Sequence, residues 1–255
     1  MGRLKTLVKW EFNDVIKNVL FLFGLVLVGI SMKKSIMDVN YIPGFASGTE
    51  IKLFGPSRAH GVAGEIHGML YLSDVWTLMS FLILLLGALS FRYDRDSGVA
   101  RSIYSLPYSN TEIFGVKLLS VLVYTVLMVL LPFAYVTLTS YASIAGYLPE
   151  ITSSFLGDAL VLVVFLVLYL ISVATLTSLA APNAFLAFIV GFAVIYAPRV
   201  TGSSEIPPQL FINAISRCGS TDFTPFTAQY IGWGILVPLA LFAVSWILIK
   251  RRDVV

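Results

Sequence analysis

Charge and cysteine are both scarce in this chain. Of its 255 residues, 12% are charged and 58% hydrophobic, and the mean hydropathy is +0.88. A water-facing domain carries about 25% charged residues, so a composition this poor in charge points to lipid. The single cysteine, Cys218, excludes an internal disulfide and a cysteine-based metal cluster. A net charge of +3, with no Lys/Arg cluster interleaved with aromatics, argues against nucleic acid as a partner. No G-x-x-x-x-G-K-[ST] occurs, which excludes ATP binding by a P-loop on this chain. The first apolar run, Val19–Met32, is followed by Lys33-Lys34 and no small-residue cleavage site, so it reads as a retained span and not a signal peptide.

What is present is a series of apolar runs, each near the roughly 20 residues that a spanning helix needs. Six are expected, at 15–34, 69–91, 113–137, 159–180, 184–198 and 227–249, in a single all-α transmembrane domain covering 1–255. The fifth is short and is read as either spanning or re-entrant. None has an ionisable residue other than Tyr near its middle, which argues against a proton- or sodium-driven carrier. Six spans put the N-terminus, the 92–112 loop and the C-terminus on one side, with 11 of the 17 basic residues. The positive-inside bias makes that side cytoplasmic. The segments 35–68 and 199–226 are then extracellular, and Pro182-Asn183 turns the chain between spans four and five. Aromatics such as Tyr71, Trp76, Tyr230, Trp233 and Trp246 sit where the membrane interfaces are expected.

Two cytoplasmic pieces stand out. Residues 3–17 carry apolar residues at 4, 7, 8, 12, 15 and 16, the spacing of a one-faced helix lying in the interface. Glu11 falls in the middle of that stripe, where it either pairs with a nearby Lys or meets a basic group on a partner protein. Lys17, Lys33 and Lys34 are expected to snorkel at the ends of span one. In the 92–112 loop, Asp94, Arg95 and Asp96 leave span two, Gly98 permits a turn, and Val99–Leu106 has room for two helical turns before Pro107. Ser109-Asn110-Thr111-Glu112 has capping-box spacing at the start of span three. A short helix held between two spans by defined turns is suited to receive a push from a soluble partner; the alternative is an ordinary solvated loop.

The loop resembles the cytoplasmic loop between spans two and three of the ABC type-2 transporter permeases. The resemblance rests on Asp94-Arg95-Asp96, Gly98, Leu106-Pro107, Ser109, Ile113 and Lys117. The N-terminal LVKWEFNDVIKN is similar to that family's amphipathic elbow, with Lys9, Trp10, Glu11 and Phe12 at its centre. Asp stands where Glu is usual in the loop, and Val99 where Thr is frequent, and the motif-level likeness covers only about 45 residues. It implies a transmembrane permease subunit that pairs with a second permease, as homo- or heterodimer, and with separate ATPase subunits. Those subunits would bind ATP and Mg, and this chain would carry no cofactor. The docking residues it implies are Asp94, Arg95, Asp96, Gly98, Arg101, Ile103, Tyr104, Leu106 and Pro107. The implied cargo is an exported hydrophobic or amphipathic molecule: a drug-like compound, lipid-linked glycan or peptide.

Two other readings belong to different classes. One is a self-sufficient membrane enzyme acting on lipid at the outer face, for which His60, Glu65 and His67 are the best constellation. Gly61 and Gly64 weigh against a regular helix there, and no third strong ligand is evident. The other is a non-transporting membrane anchor of an ATPase complex. Among the remaining residues, Asp158 reads as the N-cap of span four, Pro238 as a kink in span six, and Cys218 as a plain outer-loop thiol open to an impermeant reagent.

Overall fold

The computed structural model describes residues 2–39, 56–93, 96, 108–220 and 223–251, and all regular structure among them is helical. Helix α1 (Gly2–Phe12) breaks at Asn13-Asp14 and α2 (Val15–Val39) follows. The break has a local cause. The Asp14 carboxylate accepts from the backbone N–H of Ile16 at 3.0 Å and of Lys17 at 3.3 Å, capping α2 from outside. The expected 3–17 helix is therefore corrected: it ends at Phe12, and Lys17 belongs to the first turn of the long helix.

Helix α3 (Pro56–Tyr71) and α4 (Ser73–Gly87) meet at Leu72, and α4 runs on through a π turn, Ala88–Tyr93. The expectation that Gly61 and Gly64 disfavour a helix is overturned. Val62, Ile66, Met69 and Leu70 bury one face of α3 at helical spacing, and that packing outweighs the roughly 1 kcal/mol each Gly costs. Helix α5 (Asn110–Ser140) contains Pro132, and α6 (Leu156–Ala180) is the most buried of the long apolar helices. Asp158 is the third residue of α6, not its N-cap, which is Phe155. A carboxylate one turn inside the N-terminus still faces the positive end of the helix dipole.

Helix α7 (Ala184–Val200) starts on Asn183, whose side chain accepts from the Leu186 N–H at 2.7 Å. The amphipathic pattern after Pro208 forms α8 (Gln209–Ile215). The last helix, α9, consists of Ala228–Ile231, a π turn Gly232–Leu236 and Val237–Arg251. Pro238 lies two residues past the end of that π turn, so the missing proline N–H is accommodated by local rewinding of the helix.

Among the described residues, five helical stretches are long and apolar enough to cross a membrane: Val15–Ile36, Gly61–Tyr93, Asn110–Ser140, Leu156–Ala180 and Ala228–Lys250. Ala184–Val200, with 17 residues, is a shorter apolar helix. Helix α6 packs against α4, α5, α7, α8 and α9. Small residues bring the helices close, as lipid-embedded packing requires. A Cβ on Gly87 would lie 3.0 Å from Ala174 Cβ, and one on Gly234 would overlap the Phe165 ring. The outward face of α2 is apolar as well: Val15, Val19, Leu22, Phe23, Val26 and Ile30 form an exposed stripe. Only a lipid environment or a further protein surface leaves such a stripe dry.

Candidate functional site

The most polar part of the interior lies where α1 meets the bundle. Leu7 packs on Ile113 and Val116 of α5, which rolls the next turn of α1, with Glu11, inward. Glu11 is 1% exposed. Its carboxylate forms an ion pair with Lys17 of α2, itself 1% exposed, and accepts from Ser120 Oγ of α5 at 3.1 Å. Lys117 of α5 lies 3.8 Å from the second carboxylate oxygen and donates to the Ser90 carbonyl at 2.7 Å. Asp14, 3.5 Å from Lys17, supplies a second acid. Two carboxylates thus face two ammonium groups, the balance a buried charged cluster needs. Lys17, expected to snorkel, instead turns inward because Glu11 waits there.

A second polar layer braces the elbow. Tyr124 donates to Asn18 Oδ1 at 2.7 Å, and Asn18 Nδ2 donates to the Phe12 carbonyl at 3.0 Å. The Tyr124 ring lies 5.4 Å from Phe12 and 5.1 Å from Phe21. Elbow, α2 and α5 are therefore joined through charge, hydrogen bonds and ring contacts. Lys9 and Trp10 are exposed, and the Trp10 ring lies 6.0 Å from Lys117 Nζ.

The exit of α4 is fixed at the same end of the bundle. Arg92 Nε pairs with Asp96 Oδ1 at 2.8 Å, and the Arg92 guanidinium donates to the Pro182 carbonyl. Asp96 Oδ2 accepts from the Ala184 N–H at 2.8 Å, adding a second cap to α7. Trp246 Nε1, near the end of α9, donates to Thr111 Oγ1 at 3.3 Å. At the start of α5 the expected capping box is formed: Ser109 Oγ accepts from Glu112 N–H at 3.2 Å, and the Glu112 carboxylate accepts from Ser109 N–H at 2.7 Å. Asp94, Arg95, Gly98, Arg101, Ile103, Tyr104, Leu106 and Pro107, and the Val99–Leu106 helix with them, lie outside the described residues. Of the residues singled out in this loop, Asp96 is described, and its carboxylate is engaged within the chain.

The opposite end is held by other contacts. Glu65 of α3 accepts from the Tyr141 hydroxyl; burial first, and then the carboxylate, push the Tyr141 pKa up, so the phenol stays the donor. His67 Nε2 donates to the Ile215 carbonyl at 2.6 Å and its ring rests on Phe155 at 4.6 Å. His60 and His67 both lie on α3, and no group of three His, Cys, Asp or Glu side chains able to hold a metal occurs among the described residues. Arg199 Nη1, at the end of α7, donates to Thr77 Oγ1 near the start of α4 at 3.0 Å.

Cys218 corrects another expectation. It is buried under the α8 turn with Sγ 3.7 Å from the Ala214 carbonyl, not open to the outside. Burial, with Asp158 adding to it, pushes the thiol up to about 12 from an ordinary 9.0. Only the thiolate alkylates, so its fraction near neutral pH drops roughly a thousandfold relative to a free thiol. In the folded protein an impermeant maleimide should label Cys218 far more slowly than a cysteine placed at exposed Ser204. Labelling of both should become equal in denaturant. Equal rates in the folded protein would contradict the buried placement.

The fold and these contacts define an all-α, multi-pass membrane protein. No protein-family model, curated protein or solved structure matches the chain.

Proposed function

We propose that this chain is the membrane-spanning permease subunit of an ABC transporter, driven by ATP hydrolysis on a separate nucleotide-binding subunit. The observation that carries the reading is the interlocked end of the bundle. Glu11 links the elbow to α2 and α5, Lys117 reaches the end of α4, and Arg92 and Asp96 tie that end to the start of α7. A push on the segment between α4 and α5 therefore reaches four helices and the elbow together, which is what a subunit driven from outside the membrane requires.

In this reading six helices cross the membrane, with both termini cytoplasmic and the 92–112 segment on the ATPase side. The course of α7 supports the sixth crossing: its first residue meets Asp96 beyond the end of α4, and Arg199 meets Thr77 near the start of α4. Seventeen residues at ~1.5 Å each reach about 25 Å, enough for the bilayer core with slight local thinning. The elbow and the 92–112 loop form the ATPase-docking surface, and a second permease copy or paralogue completes the pathway. The cargo is a hydrophobic or amphipathic molecule leaving the cell.

The test is flux in vesicles containing this chain and its ATPase. ATP should drive transport, and collapsing proton and sodium gradients should leave most of it intact. Gradient-driven flux from this chain alone would overturn the reading.

A further inference from the structure

The wall between α2 and α5 opens sideways into a cleft of about 730 Å³, within the range of about 300–1,000 Å³ usual for small-molecule sites. Gly29 sits at its floor. A Cβ there would make an ordinary van der Waals contact with Pro132 Cβ at 3.8 Å, so the position has room for a small side chain and no more before the cleft begins to fill. Leu25, Ile30 and Leu131 line an apolar trough, and exposed Lys33 and Lys34 stand at one end. Lys33 Nζ donates to Ser140 Oγ at 2.9 Å, and an ammonium has further N–H donors for another acceptor. Among the described residues no carboxylate lines the cleft.

An apolar trough that ends in two cations matches an amphiphile with an anionic head. We propose that this cleft binds an anionic phospholipid, with one acyl chain between α2 and α5 and its phosphate on Lys33 and Lys34. Free phosphate would leave the trough unfilled. A second copy of the chain, related by a twofold axis along this face, would set one Lys33-Lys34 pair against another. The site follows from the cleft and its charges alone and stands apart from the transport reading.

The test is native mass spectrometry of the purified full-length protein, titrated with phosphatidylglycerol or with phosphatidylcholine. Two lysines at a membrane surface should favour phosphatidylglycerol by up to roughly thirtyfold. The double variant Lys33→Gln/Lys34→Gln should bring that ratio close to one. Gly29→Leu, which fills the trough and leaves the charges, should weaken both lipids. A phosphatidylglycerol preference unchanged in the double variant would overturn the proposal. So would complete competition by inorganic phosphate at matched ionic strength, or a wild-type dimer that Gly29→Leu turns into monomer with no loss of lipid binding.

Discussion

Replacing Glu11 with Ala should cost about 3–5 kcal/mol of stability, the loss expected when one partner of a buried ion pair is removed. The cost is this large because Glu11 is the buried carboxylate that both Lys17 and Lys117 approach. Lys17 and Lys117, 1% and 5% exposed, would be left in the interior. Asp14 offers only partial compensation to Lys17 from 3.5 Å, and Ser120 is left with the Lys117 carbonyl, 2.9 Å away, as its acceptor. In thermal unfolding of the detergent-solubilised protein, Tm should fall by on the order of 10 °C. Glu11→Gln should fall between wild type and Glu11→Ala, because the amide oxygen can still accept from Ser120. Adding Lys17→Met to Glu11→Ala should recover part of the loss, since it removes one of the orphaned charges. If Glu11→Ala melts like wild type, α1 is held by Leu7 and its neighbours alone, and the ionic cluster does not anchor the elbow.

How much of this site was legible depends on the distance between partners along the chain. Helical periodicity alone puts Glu11 on the buried stripe of α1, because each residue turns the helix by about 100°. It cannot supply Lys117 or Ser120, which lie in another span and reach Glu11 only once Leu7 has docked on Ile113. The break at Asn13-Asp14 was hidden because Val15 and Ile16 continue the apolar period. Its signal was Asp14, placed to accept from two N–H groups just ahead. The capping box at Ser109 was legible because it is wholly local. Glu65 was noticed as a possible metal ligand, but its partner Tyr141 is 76 residues away, and sequence alone could not choose between pairing and ligation. Gly61 and Gly64 misled for a related reason. Their helix cost is a local quantity, whereas the burial of Ile66 and Met69 that offsets it is tertiary.

The charged stretch between α4 and α5 gives the second large effect. Its two ends are fixed: Asp96 is held by Arg92 and the α7 N-terminus, and Ser109 by the capping box. Between Asp96 and Tyr108 the sequence offers one apolar-rich run, Val99 to Leu106, with Ile103 and Tyr104 inside it. If that run fits a groove on an ATPase, carboxylates at both positions would have to be desolvated there. The double variant Ile103→Asp/Tyr104→Asp should therefore release the ATPase from the complex or uncouple its hydrolysis from transport. The chain itself should still insert, since neither residue lies in one of the six spans expected from the sequence. Ser109→Ala makes the contrasting variant. It removes a helix cap worth about 0.5–2 kcal/mol, lowering stability with little loss of ATPase binding. Co-purification of the ATPase and substrate-stimulated hydrolysis should separate the two. Retention of both activities in full by the double-Asp protein would make this stretch a solvated connector. The transporter reading would then rest only on the interlocked helix ends, which a static membrane anchor would share.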